Sequence, residues 1–135
     1  DGRSKTRRVL VVDDEIEVVD LVTEILKKKF PEWQVRVAMD GFSAGRILAE
    51  FYPDLVILDL MLPGVDGFAV CRQIRNDAAM AGISILAITG YDTQEIKDKI
   101  MNCGANDFLA KPMDNKVLVE RISRLMNVPE KIGQP

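Results

Sequence analysis

The sequence predicts an α/β fold: a doubly wound parallel sheet of five strands, in the spatial order 2-1-3-4-5, covered on both faces by five helices. Two patterns support this prediction. Short, almost wholly apolar runs are typical of strands buried in a parallel sheet, and they alternate with longer segments whose apolar residues recur every three or four positions. Because crossovers between parallel strands are right-handed, few other topologies fit this alternation.

The first strand is predicted at residues 9–12, which are all apolar, and the first helix at 16–30, which Pro31 ends. One face of this helix carries apolar residues at helical spacing and is expected to point inward. Its members are Val18, Leu21, Val22, Ile25 and Leu26. Strand and helix together form the first βα unit.

The second strand is predicted at 34–38, where Val35 and Val37 alternate with polar residues, and the second helix at 42–51. Gly45 weakens this helix. Its inward residues are expected to be Ala44, Ile47, Leu48 and Phe51, with Pro53 as the stop.

The third strand is predicted at 55–58, followed by a turn at 63–67 that is rich in glycine and proline and by a helix at 68–79. The fourth strand follows at 85–88 and the fourth helix at 93–102. The expected inward residues are Val70, Cys71 and Ile74 in the third helix, and Ile96, Ile100 and Cys103 in the fourth.

Thr93 is predicted to cap the fourth helix at its amino end, and Gly104 to end it. The last strand is predicted at 107–110 and the last helix at 115–126. The inward row of that helix is Leu118, Ile122 and Leu125. The resulting strand order is that of flavodoxin-like sheets.

One folded domain is expected at 8–127, with a flexible lead-in at 1–7 and a tail or the start of a linker at 128–135. With 135 residues, 47% of them hydrophobic and 29% charged, the chain has the composition of a soluble globular domain. No apolar run approaches the ~20 residues that cross a membrane. We therefore expect a cytoplasmic location and no membrane contact.

The net charge of −3 and the lack of a basic stripe with interleaved aromatics argue against nucleic-acid binding through this domain. The sequence has no histidine, which excludes zinc catalysis by imidazole, Ser-His triads and phosphotransfer from a histidine of its own. Cys71 and Cys103 lack metal-ligand spacing and are expected to be core thiols without a disulfide.

Polar side chains follow four of the predicted strands. They are Asp13 and Asp14 after the first, Asp59 after the third, Thr89 after the fourth and Lys111 after the fifth. Ligand sites of open parallel sheets lie beyond the carboxyl ends of the strands, so these side chains are expected to converge. Neighbouring carboxylates repel one another unless a cation neutralises them, and an oxygen-rich set suits Mg²⁺. Asp59 is the candidate nucleophile.

Each of these residues has a simpler explanation when taken alone. Asp13 and Asp14 are able to cap the first helix, where anionic groups favour the positive end of the dipole. Thr89 is able to cap the fourth helix, and Lys111 is able to lie on the surface with its stem against apolar groups. Their common position at neighbouring strand ends favours a shared magnesium site over these separate explanations.

With these motifs in order, the chain resembles a response-regulator receiver domain of two-component signalling over residues 8–126. That family has an acidic pair after the first strand, a phosphorylated aspartate after the third, Thr or Ser after the fourth and Lys-Pro after the fifth. The corresponding motifs here are Asp13-Asp14-Glu15, the segment 59–67, Thr89-Gly90 and Lys111-Pro112.

The resemblance implies that Asp59 accepts a phosphoryl group from a histidine kinase or a histidine phosphotransfer protein, assisted by Thr89 and Lys111. It implies a bound Mg²⁺, for which Mn²⁺ can substitute. The implied ligands are Asp13, Asp14, Asp59 and the backbone carbonyl of Met61. Asp14 is expected to contribute more to metal binding than Asp13, which acts partly through water.

The resemblance further implies a cis Lys111-Pro112 bond, against the alternative of an ordinary trans turn. It makes Thr89 and Phe108 a conformational switch, although Phe108 has an equal claim to be a core aromatic. The output surface is expected at 93–126, where the domain would form a homodimer or bind an effector. Such a domain is not an enzyme, apart from catalysing its own phosphoryl transfer and slow self-dephosphorylation.

Met61 and Tyr91 lie two residues beyond Asp59 and Thr89, and neither would readily orient an attacking water. This favours a persistent phosphoryl group. Two other functions are weighed against this one. A phosphatase or phosphotransferase of the haloacid-dehalogenase type also uses an aspartate nucleophile and Mg²⁺, but it needs a second Asp where Met61 stands. A flavodoxin-type FMN module needs a phosphate-binding first loop, and this loop is acidic.

Overall fold

The computed structural model of the chain describes residues 6–64 and 66–129. The strands are β1 (Arg8–Val12), β2 (Gln34–Ala38), β3 (Leu55–Asp59), β4 (Ser84–Thr89) and β5 (Asp107–Ala110). The helices are α1 (Ile16–Lys29), α2 (Gly41–Phe51), α3 (Gly67–Asn76), α4 (Gln94–Asn102) and α5 (Asn115–Leu125), and a 3-10 turn at Ala78–Met80 follows α3. No helix within the described ranges is long and apolar enough to span a membrane.

All strand pairs are parallel, and the order is β2-β1-β3-β4-β5. The predicted fold class is therefore confirmed. The outer parts of the predicted lead-in and tail, 1–5 and 130–135, lie outside the described residues.

Side-chain alternation along the strands divides the core into two clusters, one on each face of the sheet. In β1, Leu10 and Val12 belong to the cluster under α2, α3 and α4, whereas Val9 and Val11 belong to the cluster under α1 and α5. All four are fully buried. Burying one such side chain stabilises the fold by roughly 1.5–3 kcal/mol, so the helices on both faces hold the strands in place.

Two local predictions were wrong. Leu21 is 36% exposed, and Val19 takes its place in the buried row with Val22 and Leu26. This row follows the 3.6-residue period from Val19, and Leu21 falls beside it. Helix α3 ends three residues earlier than predicted, because Asp77 turns the chain and its carboxylate accepts a hydrogen bond from the backbone of Ala79 at 2.9 Å.

Helix α4 begins and ends where the sequence predicts. The hydroxyl of Thr93 accepts a hydrogen bond from the backbone N–H of Ile96 at 3.1 Å, and Gly104 follows the helix with a φ of +108°. Cys71 is buried and its thiol donates to the carbonyl of Cys103 at 3.3 Å. Cys103 itself is only half-buried, so the expectation of a core thiol is right for Cys71 and only partly right for Cys103.

Asp54 joins three strands at the edge of the sheet where they begin. Its backbone N–H donates to the carbonyl of Arg8 at 2.8 Å, and its carbonyl accepts from the N–H of Ser84 at 3.0 Å. Its carboxylate also accepts from the N–H of Arg8 at 2.8 Å. The first residues of β1 and β4 are thus tied to the residue that precedes β3.

Candidate functional site

Four of the predicted site residues stand at the ends of four adjacent strands. Asp13 directly follows β1, Asp59 ends β3, Thr89 ends β4 and Lys111 directly follows β5. Backbone hydrogen bonds continue past the strands, from the N–H of Leu60 to Ile88 at 3.1 Å and from the N–H of Lys111 to Thr89 at 2.8 Å. Strand order and register therefore bring the four side chains to one edge of the sheet.

Asp13, Asp14 and Asp59 each place a carboxylate oxygen within 4.8 Å of the others. Asp13 and Asp59 are buried, at 0% and 2% exposure, whereas Asp14 is exposed. Asp13 Oδ2 lies 2.9 Å from Lys111 Nζ, yet it accepts no hydrogen bond of regular geometry from the described residues. A buried carboxylate oxygen with spare capacity, in an all-carboxylate set, fits the donor preference of Mg²⁺.

The environment of Asp59 disfavours its negative charge. Burial raises the pKa of Asp59 from 3.8 to about 6, and the neighbouring carboxylate of Asp13 also raises it. The backbone N–H of Met61, which donates to Asp59 Oδ1 at 3.2 Å, and the ammonium of Lys111 lower the pKa but do not offset burial. Added positive charge at the site would therefore stabilise the ionised form of Asp59.

Gly67 allows helix α3 to start against the backbone of Asp59. A β-carbon at Gly67 would stand 2.5 Å from the carbonyl oxygen of Asp59 and 2.6 Å from Cα of Leu60. The N–H of Gly67 donates to the carbonyl of Leu60 at 2.9 Å. Only glycine permits this approach, so Gly67 fixes the backbone that carries Asp59.

The ammonium of Lys111 contacts three carboxylates: Glu15 at 2.6 Å, Asp13 at 2.9 Å and Asp59 at 3.4 Å. Its side chain is only 13% exposed, so the explanation as a surface lysine is wrong. Burial lowers the pKa of Lys111, but the partners Glu15 and Asp13 outweigh burial and the pKa lies above its ordinary value. The peptide bond between Lys111 and Pro112 is cis.

Thr89 is fully buried at the end of β4, and its hydroxyl accepts a hydrogen bond from the N–H of Tyr91 at 3.1 Å. This contact uses a lone pair, so the hydroxyl hydrogen stays available for donation. Helix α4 is capped by Thr93, which makes the capping explanation for Thr89 wrong. The side chain of Tyr91 points away from the core and is 62% exposed.

Neither member of the acidic pair is the amino-cap residue of α1. The residue at the amino cap of α1 is Glu15, whose side chain makes no capping hydrogen bond. Asp13 Oδ1 instead accepts from the backbone N–H of Glu15 at 2.8 Å. The sequence analysis assigned no role to Glu15, although it is the third of three consecutive acidic residues. That run of acidic residues was the signal that could have marked Glu15 as part of the site.

Two other predicted residues lie at the margin of the site. The side chain of Met61 is 52% exposed, so only its backbone faces the acidic cluster through the N–H bonded to Asp59. Phe108 in β5 is half-buried and packs against the core cluster under α2, α3 and α4. This packing is compatible with both of the roles considered for Phe108.

The fold agrees with comparisons to known proteins. Residues 9–123 match the family model described as response regulator receiver domain. The chain is 36% identical over 129 residues to the DNA-binding dual master transcriptional regulator RpaA of Synechocystis, a match covering 94% of this chain and 52% of that protein. It is 38% identical over 118 residues to the response regulator PleD of Caulobacter vibrioides, covering 87% of this chain and 26% of PleD. The chain thus spans about half or a quarter of these relatives.

Solved structures of response regulators share this fold. The signal receiver domain of a DNA-binding response regulator from Colwellia psychrerythraea superposes with a TM-score of 0.86 at 34% identity, covering 90% of this chain and 98% of that one. A putative response regulator from Chloroflexus aurantiacus superposes with a TM-score of 0.84 at 31% identity, covering 91% of this chain and 99% of that one.

Proposed function

Because the chain belongs to the response regulator receiver domain family, we propose that Asp59 accepts a phosphoryl group from a phosphohistidine on a partner histidine kinase or histidine phosphotransfer protein. The observation that supports this most is the position of Asp59. Its buried carboxylate has the ammonium of Lys111 at 3.4 Å, and the buried Thr89 ends the adjacent strand β4, one residue beyond Ile88, the register partner of Asp59. A nucleophile, a cation and a hydrogen-bond donor therefore meet at one strand edge.

In the proposed transfer, a carboxylate oxygen of Asp59 attacks the phosphorus atom. The phosphorus–nitrogen bond breaks as the new phosphorus–oxygen bond forms, and the histidine nitrogen keeps the electron pair of the broken bond. Lys111 offsets negative charge on the phosphoryl oxygens, and the Thr89 hydroxyl donates a hydrogen bond to one of them. The residues of this chain thus contribute position and charge, which account for most catalysis of phosphoryl transfer.

Asp13, Asp14, Asp59 and the backbone carbonyl of Met61 would hold Mg²⁺, or Mn²⁺ in its place. The metal supplies positive charge that neutralises the phosphoryl oxygens and the acidic cluster. Asp14 is the exposed member of that cluster, so its carboxylate is free to turn toward a metal that approaches from solvent. We therefore assign Asp14 the larger share of metal affinity, with Asp13 acting partly through water.

The conformational response is proposed to pass from Thr89 to the surface at 93–126. Thr89 ends β4 and pairs in register with Ala110, two residues after Phe108 on β5. A phosphoryl group that draws the Thr89 hydroxyl toward Asp59 would shift the loop before α4 and leave room for Phe108 to turn inward. Such a two-state element gives the site control over the α4–β5–α5 surface, where a homodimer or an effector would bind.

The haloacid-dehalogenase alternative lacks its second carboxylate. The side chain two residues after Asp59 is the exposed thioether of Met61, which neither gives nor takes a proton. The domain would therefore catalyse its own phosphorylation and slow dephosphorylation, without turnover of external substrates. We also propose a cytoplasmic location on the ground of family membership. The acidic site gives no reason to propose nucleic acid as a ligand of this domain.

The test is incubation with acetyl phosphate and Mg²⁺ followed by intact-mass measurement. The wild-type protein should gain one phosphoryl group, and Asp59→Asn should gain none, because an amide does not form the acyl phosphate. An Asp59→Asn protein that gains the same mass would refute the assignment of Asp59, and a wild-type protein that gains none would refute the proposed function.

A further inference from the structure

The shortest contact of Lys111 is with Glu15, a residue outside the acidic cluster. Lys111 Nζ lies 2.6 Å from Glu15 Oε1 and 3.4 Å from Asp59 Oδ2, so the ammonium is closer to Glu15 than to the proposed phosphoacceptor. The three carboxylates whose oxygens gather within 4.8 Å are Asp13, Asp14 and Asp59, without Glu15. The Glu15 contact therefore draws Lys111 toward a group beyond the metal-binding set.

The carboxylate of Glu15 has no other structural task among the described residues. Glu15 stands at the amino cap of α1, where its side chain makes no capping hydrogen bond. Its backbone is held by the hydrogen bond from its N–H to Asp13 Oδ1 at 2.8 Å. The backbone hydrogen bond places the side chain of Glu15 next to Lys111. Among the described residues, Lys111 is the one charged partner of its carboxylate.

Among the described residues, the ammonium of Lys111 makes its one regular hydrogen bond with Glu15, whereas Asp13 and Asp59 contact it as ion pairs at 2.9 and 3.4 Å. A phosphoryl group on Asp59 would bring a further anion beside the same ammonium, so we expect one of the present partners to give way. Asp13 is fully buried and fixed by the N–H of Glu15, and Asp59 carries the incoming group. The side chain of Glu15 is 55% exposed, so water solvates it on release at the smallest cost of the three.

We propose that Glu15 is a positioning residue that holds Lys111 in a resting state, and that Lys111 exchanges the carboxylate of Glu15 for a phosphoryl oxygen when Asp59 is modified. This inference rests on the proposed function and adds a regulatory step to it. Glu15 then slows phosphorylation and weakens the binding of phosphoryl mimics, because the contact must be broken in both cases.

Three variants separate the contact from the charge. Glu15→Gln removes the charge at nearly constant size. Glu15→Asp keeps the charge but shortens the side chain by one methylene, which takes the carboxylate out of reach of Lys111. Glu17→Gln makes the same charge change two residues along, at an exposed position in the first turn of α1. All three leave the proposed nucleophile and metal ligands in place.

Two quantities are measured for each variant in the presence of Mg²⁺: the rate of phosphorylation by acetyl phosphate, and the dissociation constant of beryllofluoride from amide chemical shifts. Glu15→Gln and Glu15→Asp should both raise the rate and tighten beryllofluoride binding by about two- to fivefold, the range expected for one partly exposed ion pair. Glu17→Gln should match the wild-type protein in both measurements.

Wild-type behaviour of Glu15→Gln would overturn the proposal. So would a faster Glu15→Gln combined with a wild-type-like Glu15→Asp, since the effect would then come from general repulsion of an anionic donor. These outcomes differ from failure of the proposed function, in which the wild-type protein itself would neither gain a phosphoryl group nor bind beryllofluoride.

Discussion

The guanidinium of Arg75 donates from Nε to the carbonyl oxygen of Gly104 at 2.8 Å, and the same side chain covers the space where a β-carbon on Gly104 would stand. Arg75 lies in α3, and Gly104 lies between α4 and β5. This contact joins α3 to the loop that follows α4. The Arg75 side chain can lie here only because residue 104 has no β-carbon.

Replacement of Gly104 by alanine should destabilise the protein by about 1–3 kcal/mol. The φ of +108° strains any residue other than glycine, and the new β-carbon would stand 2.6 Å from Cγ of Arg75. The free energy of unfolding in urea measures the effect. Gly82→Ala is the control, because nothing lies within 4 Å of a β-carbon there. Equal stability of the two variants would contradict the prediction.

Without metal, the stability of the protein should fall as the pH rises from about 4 to 6. The folded pKa of Asp59, about 6, lies above its ordinary value of 3.8, so in this window the folded state binds more protons than the unfolded state. The cost is fully present above pH 6, and Asp59→Asn should remove it, with a gain of about 1–3 kcal/mol at pH 7. Urea unfolding of both proteins in EDTA measures the difference. A wild-type protein as stable as Asp59→Asn at pH 7 would argue against a costly buried charge.

Replacement of Asp14 by alanine should weaken Mg²⁺ binding by at least about tenfold, because the cluster loses its exposed carboxylate. The metal-free protein should become slightly more stable, since repulsion within the acidic cluster is relieved. Magnesium titration monitored by amide chemical shifts at the strand ends measures the affinity. Asp20→Ala, at an exposed position of α1, is the control. An unchanged titration of Asp14→Ala would reject the assignment.

Addition of beryllofluoride with Mg²⁺ should change amide chemical shifts between Ile96 and Leu125 as well as around the site. The proposed shift of the Thr89 hydroxyl moves the loop before α4 and allows Phe108 to turn. Thr89→Ala keeps the site carboxylates but lacks the hydroxyl, so it should bind the mimic with smaller changes in this range. Changes confined to the loops that follow Val12, Asp59 and Thr89 would count against a switch on this surface.

The fold was predictable because its signals are local. Apolar runs and helical periodicity are read within a few residues, and together with the right-handed crossover they leave few strand orders. The observed order places Asp13, Asp59, Thr89 and Lys111 at one edge. The contact between Glu15 and Lys111 was not predictable, since it joins residues 96 positions apart through the conformation of two loops. The early end of α3 also depends on a side-chain contact, that of Asp77, which competes with helical periodicity.

The hydrogen bonds of Asp54 make the two ends of the strands different. At the edge where the strands begin, both backbone groups and the carboxylate of Asp54 fix the spacing of β1, β3 and β4. At the opposite edge, Asp13 and Asp59 meet in mutual repulsion that Lys111 offsets. In β1, β3 and β4 we therefore expect amide hydrogen exchange to respond to phosphorylation at the carboxyl ends of the strands and to stay constant near Asp54.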